Sequence, residues 1–323
     1  MRRTLKLLSV VVPVFNEEGC LEVLYSRLIS HLEPLVPQLE ILFINDGSED
    51  QSLEVIERLR TLDSRVGYIS FTRNFGHEAS LTCGLAHAKG DAVVLIDADL
   101  QDPPELIHEL IDRWRDGYDI VYAQRNSRVG ERFLTKFTSH LFYRVYNRLS
   151  KVEMPVDTGD FRLMDRGVVD AFNRLEEKNR YVRGMIAWTG YRQIGVRYDR
   201  HARHAGRTKY HFFNRMSLAF DAICAISTLP LRAITLAGIL LTVISLFVVS
   251  WILFQKIANG LPLRGYALLA TGLYFFGGIQ LFFLGIIGEY VGRIYRESQQ
   301  RPLFLVAKLE LPQTHRQRRK RAA

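Results

Sequence analysis

The stretch VVLIDADLQDPPE, residues 93–105, runs apolar and then meets three aspartates within six positions, Asp97, Asp99 and Asp102. Carboxylates this close repel one another and raise each other's pKa unless a cation intervenes. Hard oxygen donors in an Asp-x-Asp pattern suit Mg2+ or Mn2+, which keep several waters and bind through one or two carboxylates together with substrate phosphates. The functional reading is a metal–diphosphate site. In the plainer reading, Asp102 caps a helix that starts at Pro103, ahead of Glu105. Asp-x-Asp alone is a weak signal, and its place at the end of a strand is what strengthens it.

The elements that must position these acids alternate along the chain. LLSVVVPVF (7–15), EILFIND (40–46), VGYISF (66–71), AVVLID (92–97) and DIVYA (119–123) read as strands. Helical patterns lie near 18–33, 51–62, 77–88 and 103–116, the last with Pro103 and Pro104 in its first turn. Strand and helix repeated in this way predict an α/β fold with a mostly parallel sheet and right-handed crossovers. Ligands of such sheets bind beyond the carboxyl ends of the strands. Those ends read PVFNEE, NDGSED, FTRNFG and DADLQD, so the polar residues gather where a ligand is expected. Neither a G-x-G-x-x-G nor a P-loop motif occurs, which removes the main support for dinucleotide redox chemistry or P-loop hydrolysis. His77-Glu78 lacks a second histidine at zincin spacing and reads as a helix start.

The 323 residues exceed what one domain needs, and the net charge of +9 points to anionic partners. Cys20, Cys83 and Cys224 are scattered, which argues against a disulfide framework. The apolar N-terminal run has no small-residue cleavage site and reads as the first strand, not as a signal peptide. Residues 233–254 form 22 residues without a charge, and 265–288 form 24 whose one strongly polar side chain is Gln280. Each is long enough to cross a bilayer, so two spans are expected, about 232–254 and 266–289. Lys and Arg are sparse between them and frequent outside, which predicts cytoplasmic termini and a cytoplasmic front domain on a multi-pass inner-membrane protein. The expected division is a catalytic domain over 1–209, an interfacial amphipathic helix over 210–231, the spans within 232–292 and a basic cytoplasmic tail over 293–323. Gly285, Gly288 and Gly292 would let helices approach closely, either as a homo-oligomer or within one chain. The basic and aromatic run 132–150 suits a lipid headgroup; with spans adjoining, it argues against a nucleic-acid partner.

VVVPVFNEE, INDGSEDQS, RNFGHEAS, DADLQDPPE, DTGDFRLMDR and RHAGRTKY occur in this order. Together they resemble the family 2 glycosyltransferases of the GT-A fold. Among these, the chain is most similar to the polyisoprenyl-phosphate glycosyltransferases: dolichyl-phosphate mannose synthases and, closer, two-span bactoprenol glucosyltransferases. The resemblance covers about residues 7–300. It implies a Rossmann-like catalytic domain, and it places Pro13, Asn16, Glu17 and Asp46 at the nucleotide sugar, with Asp97 near the base or ribose. Asp99, with Gln101, would reach the metal. Asp157 would lie near the reacting centre, and Arg203 and Lys209 would contact phosphates. The Q-x-x-R-W signature of processive synthases is absent, which favours transfer of a single sugar.

The implied reaction is inverting, metal-dependent transfer of one hexose, glucose from UDP-glucose, to a polyprenyl phosphate. Alternatives are GDP-mannose as donor, or a non-catalytic nucleotide-sugar-binding membrane subunit. A lipid phosphate with a second pKa of about 6 is largely dianionic at neutral pH and needs no strong base. The obstacle is electrostatic, because two anionic reactants must meet. Arg125, Arg132 and Lys136 are the expected cations for the acceptor phosphate, with Arg128 and Arg207 as further candidates. Asp157 either orients the acceptor or acts as base; its plainer reading is a buried partner of Arg162.

Overall fold

The computed structural model describes residues 3–126, 158–178, 180–199, 229–259 and 265–313. The chain divides into two compact units, one made of Met1–Phe212 with Pro302–Ala323 and the other of Phe213–Arg301.

The first unit is built on β1 (Leu7–Val14), β2 (Gln38–Asn45), β3 (Val66–Phe71), β4 (Ala92–Leu95) and β5 (Ile120–Arg125), which match the five expected strands. Between them run α1 (Glu18–Leu32), α2 (Ser52–Leu62), α3 (His77–His87) and, after β4, a 3-10 turn (Pro104–Leu106) leading into α4 (Ile107–Arg115). Further on lie β6 (Thr158–Asp165), α5 (Arg166–Asn173), α6 (Val182–Trp188), β7 (Gln193–Tyr198) and β8 (Val306–Glu310). The sheet order is β7-β5-β6-β4-β1-β2-β3-β8. The ladders of β1 with β2 and β4, β2 with β3, and β5 with β7 are parallel. Those of β6 with β4 and β5, and of β8 with β3, are antiparallel.

Strands buried on both faces read as continuous apolar runs, and their alternate residues feed two cores. Val10, Val12, Ile41 and Phe43 join Leu21 and Leu24 of α1, Ile56 of α2 and Trp114 of α4 on one face. Val11, Leu42 and Ile44 join Leu81 and Leu85 of α3, Phe172 of α5 and Ile186 of α6 on the other. The result is a three-layer helix–sheet–helix unit.

Two features differ from the sequence expectation. Residues 293–323 were expected as a tail, yet 306–310 form the edge strand β8. The strand is short, exposed and carries Lys308 and Glu310, so its pattern does not stand out from a solvated tail. Asp102 does not cap the turn at Pro104: the capping position falls on Pro103 without a side-chain bond, and the Asp102 carboxylate accepts the hydroxyl of Tyr198.

The second unit holds α7 (Leu229–Asn259) and α8 (Tyr266–Ser298). Within α8, Phe275–Ser298 is long and apolar enough to cross a membrane, with a mean hydropathy of 1.5. Both helices outrun the apolar segments. The last turns of α8 are supported by Glu289, which pairs with Arg293 at 3.0 Å and Arg296 at 3.7 Å. A Cβ at Gly285, Gly288 or Gly292 would meet nothing within 4 Å, so these glycines do not serve the contact between α7 and α8 among the described residues.

One glycine is required by the sheet edge that the site occupies. Gly47 has φ +63, and a Cβ there would lie 2.4 Å from the Arg73 carbonyl carbon, so the turns after β2 and β3 can touch only without a side chain. Gly47→Ala is expected to destabilise the first unit by roughly 2–4 kcal/mol, read as a lowered denaturation midpoint in detergent. An unchanged midpoint would contradict this close approach.

Candidate active site

The loops at the carboxyl edge of the sheet are tied to one another before any ligand is considered. Asn16, at φ 56, receives the N–H of Glu49 on its side-chain oxygen at 2.8 Å and donates its own N–H to the Ser48 hydroxyl at 3.0 Å. The N–H of Glu17 donates to Ser52. Pro13 pairs with Ile44 in β2, at a point where the pairing of β1 with β4 has already ended at Val11, so its missing N–H breaks no bond on that side. Asp46, 3% exposed, accepts the N–H groups of Phe75 (2.7 Å) and Gly76 (2.9 Å). Burial raises its pKa against the pull of those two donors. The described role of Asp46 is therefore to hold the turn that enters α3.

After β4 the chain turns sharply. Leu100 sits at φ 60, an uncommon conformation for a leucine, and Asp99 accepts the N–H of Gln101 at 3.1 Å. Asp97 rises to about 6: burial is the largest cause, His77 opposes it, and the charges of Asp160, Asp102 and Asp99 add to it. Its side chain is still 28% exposed, so it lies at the mouth of the site.

The residue facing this end comes from a strand of opposite direction. Because β6 runs against β4, with Leu95 opposite Arg162, the first residues of β6 arrive where β4 finishes. Asp160 is thereby delivered beside Asp97. Its oxygens take the Arg183 guanidinium from α6 at 2.6 and 2.5 Å, and one also meets His77 Nε2 at 3.1 Å. The same nitrogen lies 3.8 Å from Asp97. Burial works against charge on His77, but Asp160 and Asp97 prevail and raise it to about 9. The Arg183 and His77 contacts hold Asp160 well below the usual carboxylate range despite its burial. Glu78 accepts the N–H of Val182 at 2.9 Å, fixing the start of α6 against α3. Arg162, also buried, donates to the carbonyls of Gly159 and Asp160. His77, Asp97 and Asp160 each offer a ligand atom within 4.8 Å of the others, a geometry open to a metal ion.

The expected residues Pro13, Asn16, Glu17, Asp46, Asp97, Asp99 and Gln101 thus gather on one edge of the sheet. Arg125, at the end of β5, reaches toward Gly159, whose Cβ would lie 3.2 Å from its guanidinium. Asp157, Arg203, Lys209, Arg132 and Lys136 lie outside the described residues, as does the expected interfacial helix. Sequence reasoning missed Asp160, Arg183 and the role of His77. The first and last of these stood in blocks already singled out, DTGDFR and RNFGHEAS, while no sequence pattern marks Arg183.

The sequence profile described as "Glycosyl transferase family 2" matches residues 9–172, half of the chain and all the elements from β1 to α5. The chain belongs to glycosyltransferase family 2. This glycosyltransferase is 46% identical to an uncharacterised glycosyltransferase of Synechocystis over 94% of its own length and 95% of the relative's. It is 42% identical to the bactoprenol glucosyl transferase of Shigella phage SfV, covering 93% and 97%, and 39% identical to a prophage homologue of that enzyme in Escherichia coli, covering 94% and 99%. Among solved structures it is similar to mannosyl-3-phosphoglycerate synthase from Rubrobacter xylanophilus, with a TM-score of 0.47, 18% identity, and 72% and 75% of the two chains covered. The mixed sheet with helices on both faces is the Rossmann-like arrangement of the GT-A fold.

Asp160→Asn removes the carboxylate shared by two cations. It is expected to cost the enzyme roughly 2–4 kcal/mol, reduced from the range for fully buried pairs because a third of the Arg183 side chain is exposed. The pair with His77 stabilises the fold fully below the ordinary imidazole value of 6.5 and is lost as pH rises through about 9. Imidazole NMR should therefore show His77 titrating near 9, and nearer 6.5 in the variant. A wild-type midpoint at 6.5 would contradict the pairing.

Proposed function

We propose that this glycosyltransferase moves one glucose from UDP-glucose onto a polyprenyl phosphate at the cytoplasmic face of the membrane. The observation that carries the reading is the end-to-end match, at 42% identity, to a protein named bactoprenol glucosyl transferase. The chain also has a helix apolar enough to cross a bilayer, which is compatible with a lipid acceptor. On this reading α7 and α8 are two spans with both termini cytoplasmic, because Lys and Arg are sparse in 255–264 and abundant outside. Among the described residues a Cβ at Gly285, Gly288 or Gly292 would meet nothing within 4 Å, and a homo-oligomer belongs to the proposal. GDP-mannose is the competing donor.

In this reading Pro13, Asn16, Glu17, Asp46 and Asp97 shape the nucleoside and ribose pocket. The donor set at the end of β4 fits a divalent ion: its ligands are hard oxygens, and Asp99 and Asp102 lie close enough to Asp97 for their charges to act on it. Of the clustered His77, Asp97 and Asp160, Asp160 is engaged by Arg183 on both oxygens and by His77 on one, so Asp99 with Gln101, beside Asp97, is the set that would hold Mg2+ or Mn2+. When bound, such an ion supplies charge neutralisation at the diphosphate.

The protein's own cations carry the rest. Arg125, Arg132 and Lys136 receive the acceptor phosphate, and Arg203 and Lys209 stabilise the charge that grows on the leaving diphosphate. A phosphate oxygen attacks the anomeric carbon as the bond to UDP breaks, and the bonding pair departs with UDP, which inverts the centre. Asp157 orients the acceptor for this approach, or removes its proton should the phosphate arrive singly charged.

Purified protein incubated with Mg2+, labelled UDP-glucose and a polyprenyl phosphate should move label into the organic phase, with a donor panel read by mass spectrometry ranking UDP-glucose first. No transfer from any donor would favour a non-catalytic membrane subunit. Asp99→Ala should lower metal-dependent transfer by about 10²–10³ with little change in folding, and an unaltered metal response would refute its role as ligand. Lys209→Ala should reduce transfer far more than stability; equal loss of both would sink the phosphate role.

A further inference from the structure

We propose that the segment following α8, residues 304–313, positions the donor site, with Phe304 as its positioning residue; the inference rests on the donor site described above. β8 is an edge strand whose five residues are exposed, so burial of β8 itself contributes little to holding the segment. The attachment comes from its two ends. At one, Phe304 stacks on Phe71 with ring centroids 4.8 Å apart and planes at 11°. At the other, Pro312 packs where a Cβ on Gly67 would sit, 2.3 Å away, and the N–H of Gln313 donates to Ser64. Between them Lys308 pairs with Glu57 at 2.8 Å, and Arg60 donates to the carbonyl of Leu311.

The Phe304 end leads to the site. Phe71 meets Phe75 edge to face at 5.9 Å, and the Phe75 ring carries the Arg73 guanidinium at 4.1 Å. The backbone of Phe75 is one of the two donors to Asp46, and His77, two residues on, faces Asp97 and Asp160. The N–H of Thr72 also donates to the carbonyl of Leu305, so the turn 72–76 is held from the C-terminal segment on one side and from Asp46 on the other. An edge cover alone would need only the β8 ladder. Three rings in contact along the path into the site go beyond that need. Displacing a positioned group by about 1 Å can cost up to ~10²-fold in rate, so the ring stack has leverage on donor binding.

The test uses the full-length enzyme with Phe304→Leu, which keeps apolar volume but loses the ring face, Phe304→Tyr, which keeps it, and Lys308→Ala as a control on β8. Donor KM, kcat and thermal midpoint are measured, together with UDP binding by calorimetry in the presence of Mn2+. Phe304→Leu should raise donor KM and weaken UDP binding by about tenfold, with kcat changed less than roughly threefold. Phe304→Tyr should stay within roughly twofold of wild type, and Lys308→Ala should leave both constants unchanged. A lowered midpoint with unchanged KM and UDP affinity in Phe304→Leu would overturn the proposal and leave β8 as an edge cover. So would a loss that Phe304→Tyr shares. Because UDP binding is read without transfer, failure of this inference stays distinct from failure of the proposed reaction.

Discussion

Asp97, Asp99, Asp102 and Asp160 converge on one edge of the sheet, and their mutual repulsion is the constraint to which the front unit answers. Buried carboxylates must be protonated, paired or bound to a cation. The chain uses a different solution for each. Asp160 is paired outright with Arg183 and His77, Asp102 is buried against the Tyr198 hydroxyl, and Asp99 is turned onto the backbone of Gln101. Asp97 rises to about 6 because it is buried, with the charges of Asp160, Asp102 and Asp99 adding to that effect and His77 opposing it.

The topology that produces this edge is the insertion of β6, antiparallel, between β4 and β5. A wholly parallel sheet would carry the start of every strand to the opposite side, and Asp160 would lie far from Asp97. The reversal also lets α6, which follows β6 and α5, bring Arg183 back to the same edge. Asp160 is buried in a pair with Arg183, and either partner alone would be costly to bury.

The parallel half of the sheet was legible because strands covered on both faces are mostly apolar, as in β1, β2 and β4, where the buried Ser9 and Glu40 satisfy one another. The Asp-x-Asp strand end was legible for the same reason, a sudden change from apolar to acidic. β6 was not, because TGDFRLMD carries Asp160 and Arg162 inside the strand, where each is satisfied by partners distant in sequence or by bent-back backbone contacts. His77 looked like an ordinary helix start and is one, yet its ring also bridges two acids. β8 escaped because an exposed five-residue edge strand has no apolar face to announce it. The C-terminal end of α8 was underestimated, since Glu289, Arg293 and Arg296 extend the helix beyond its apolar stretch.

The proposed transfer requires a divalent cation that Asp99 and Gln101, beside Asp97, would hold together with the donor diphosphate. Anomalous diffraction from crystals of the enzyme grown with Mn2+ and UDP locates that ion directly. The account predicts a single strong peak within coordination distance of Asp99, in contact with the diphosphate and clear of the Arg183–Asp160 pair. A peak ligated by Asp160 and His77 with Arg183 displaced, or a diphosphate bound away from the β4 end, would contradict it.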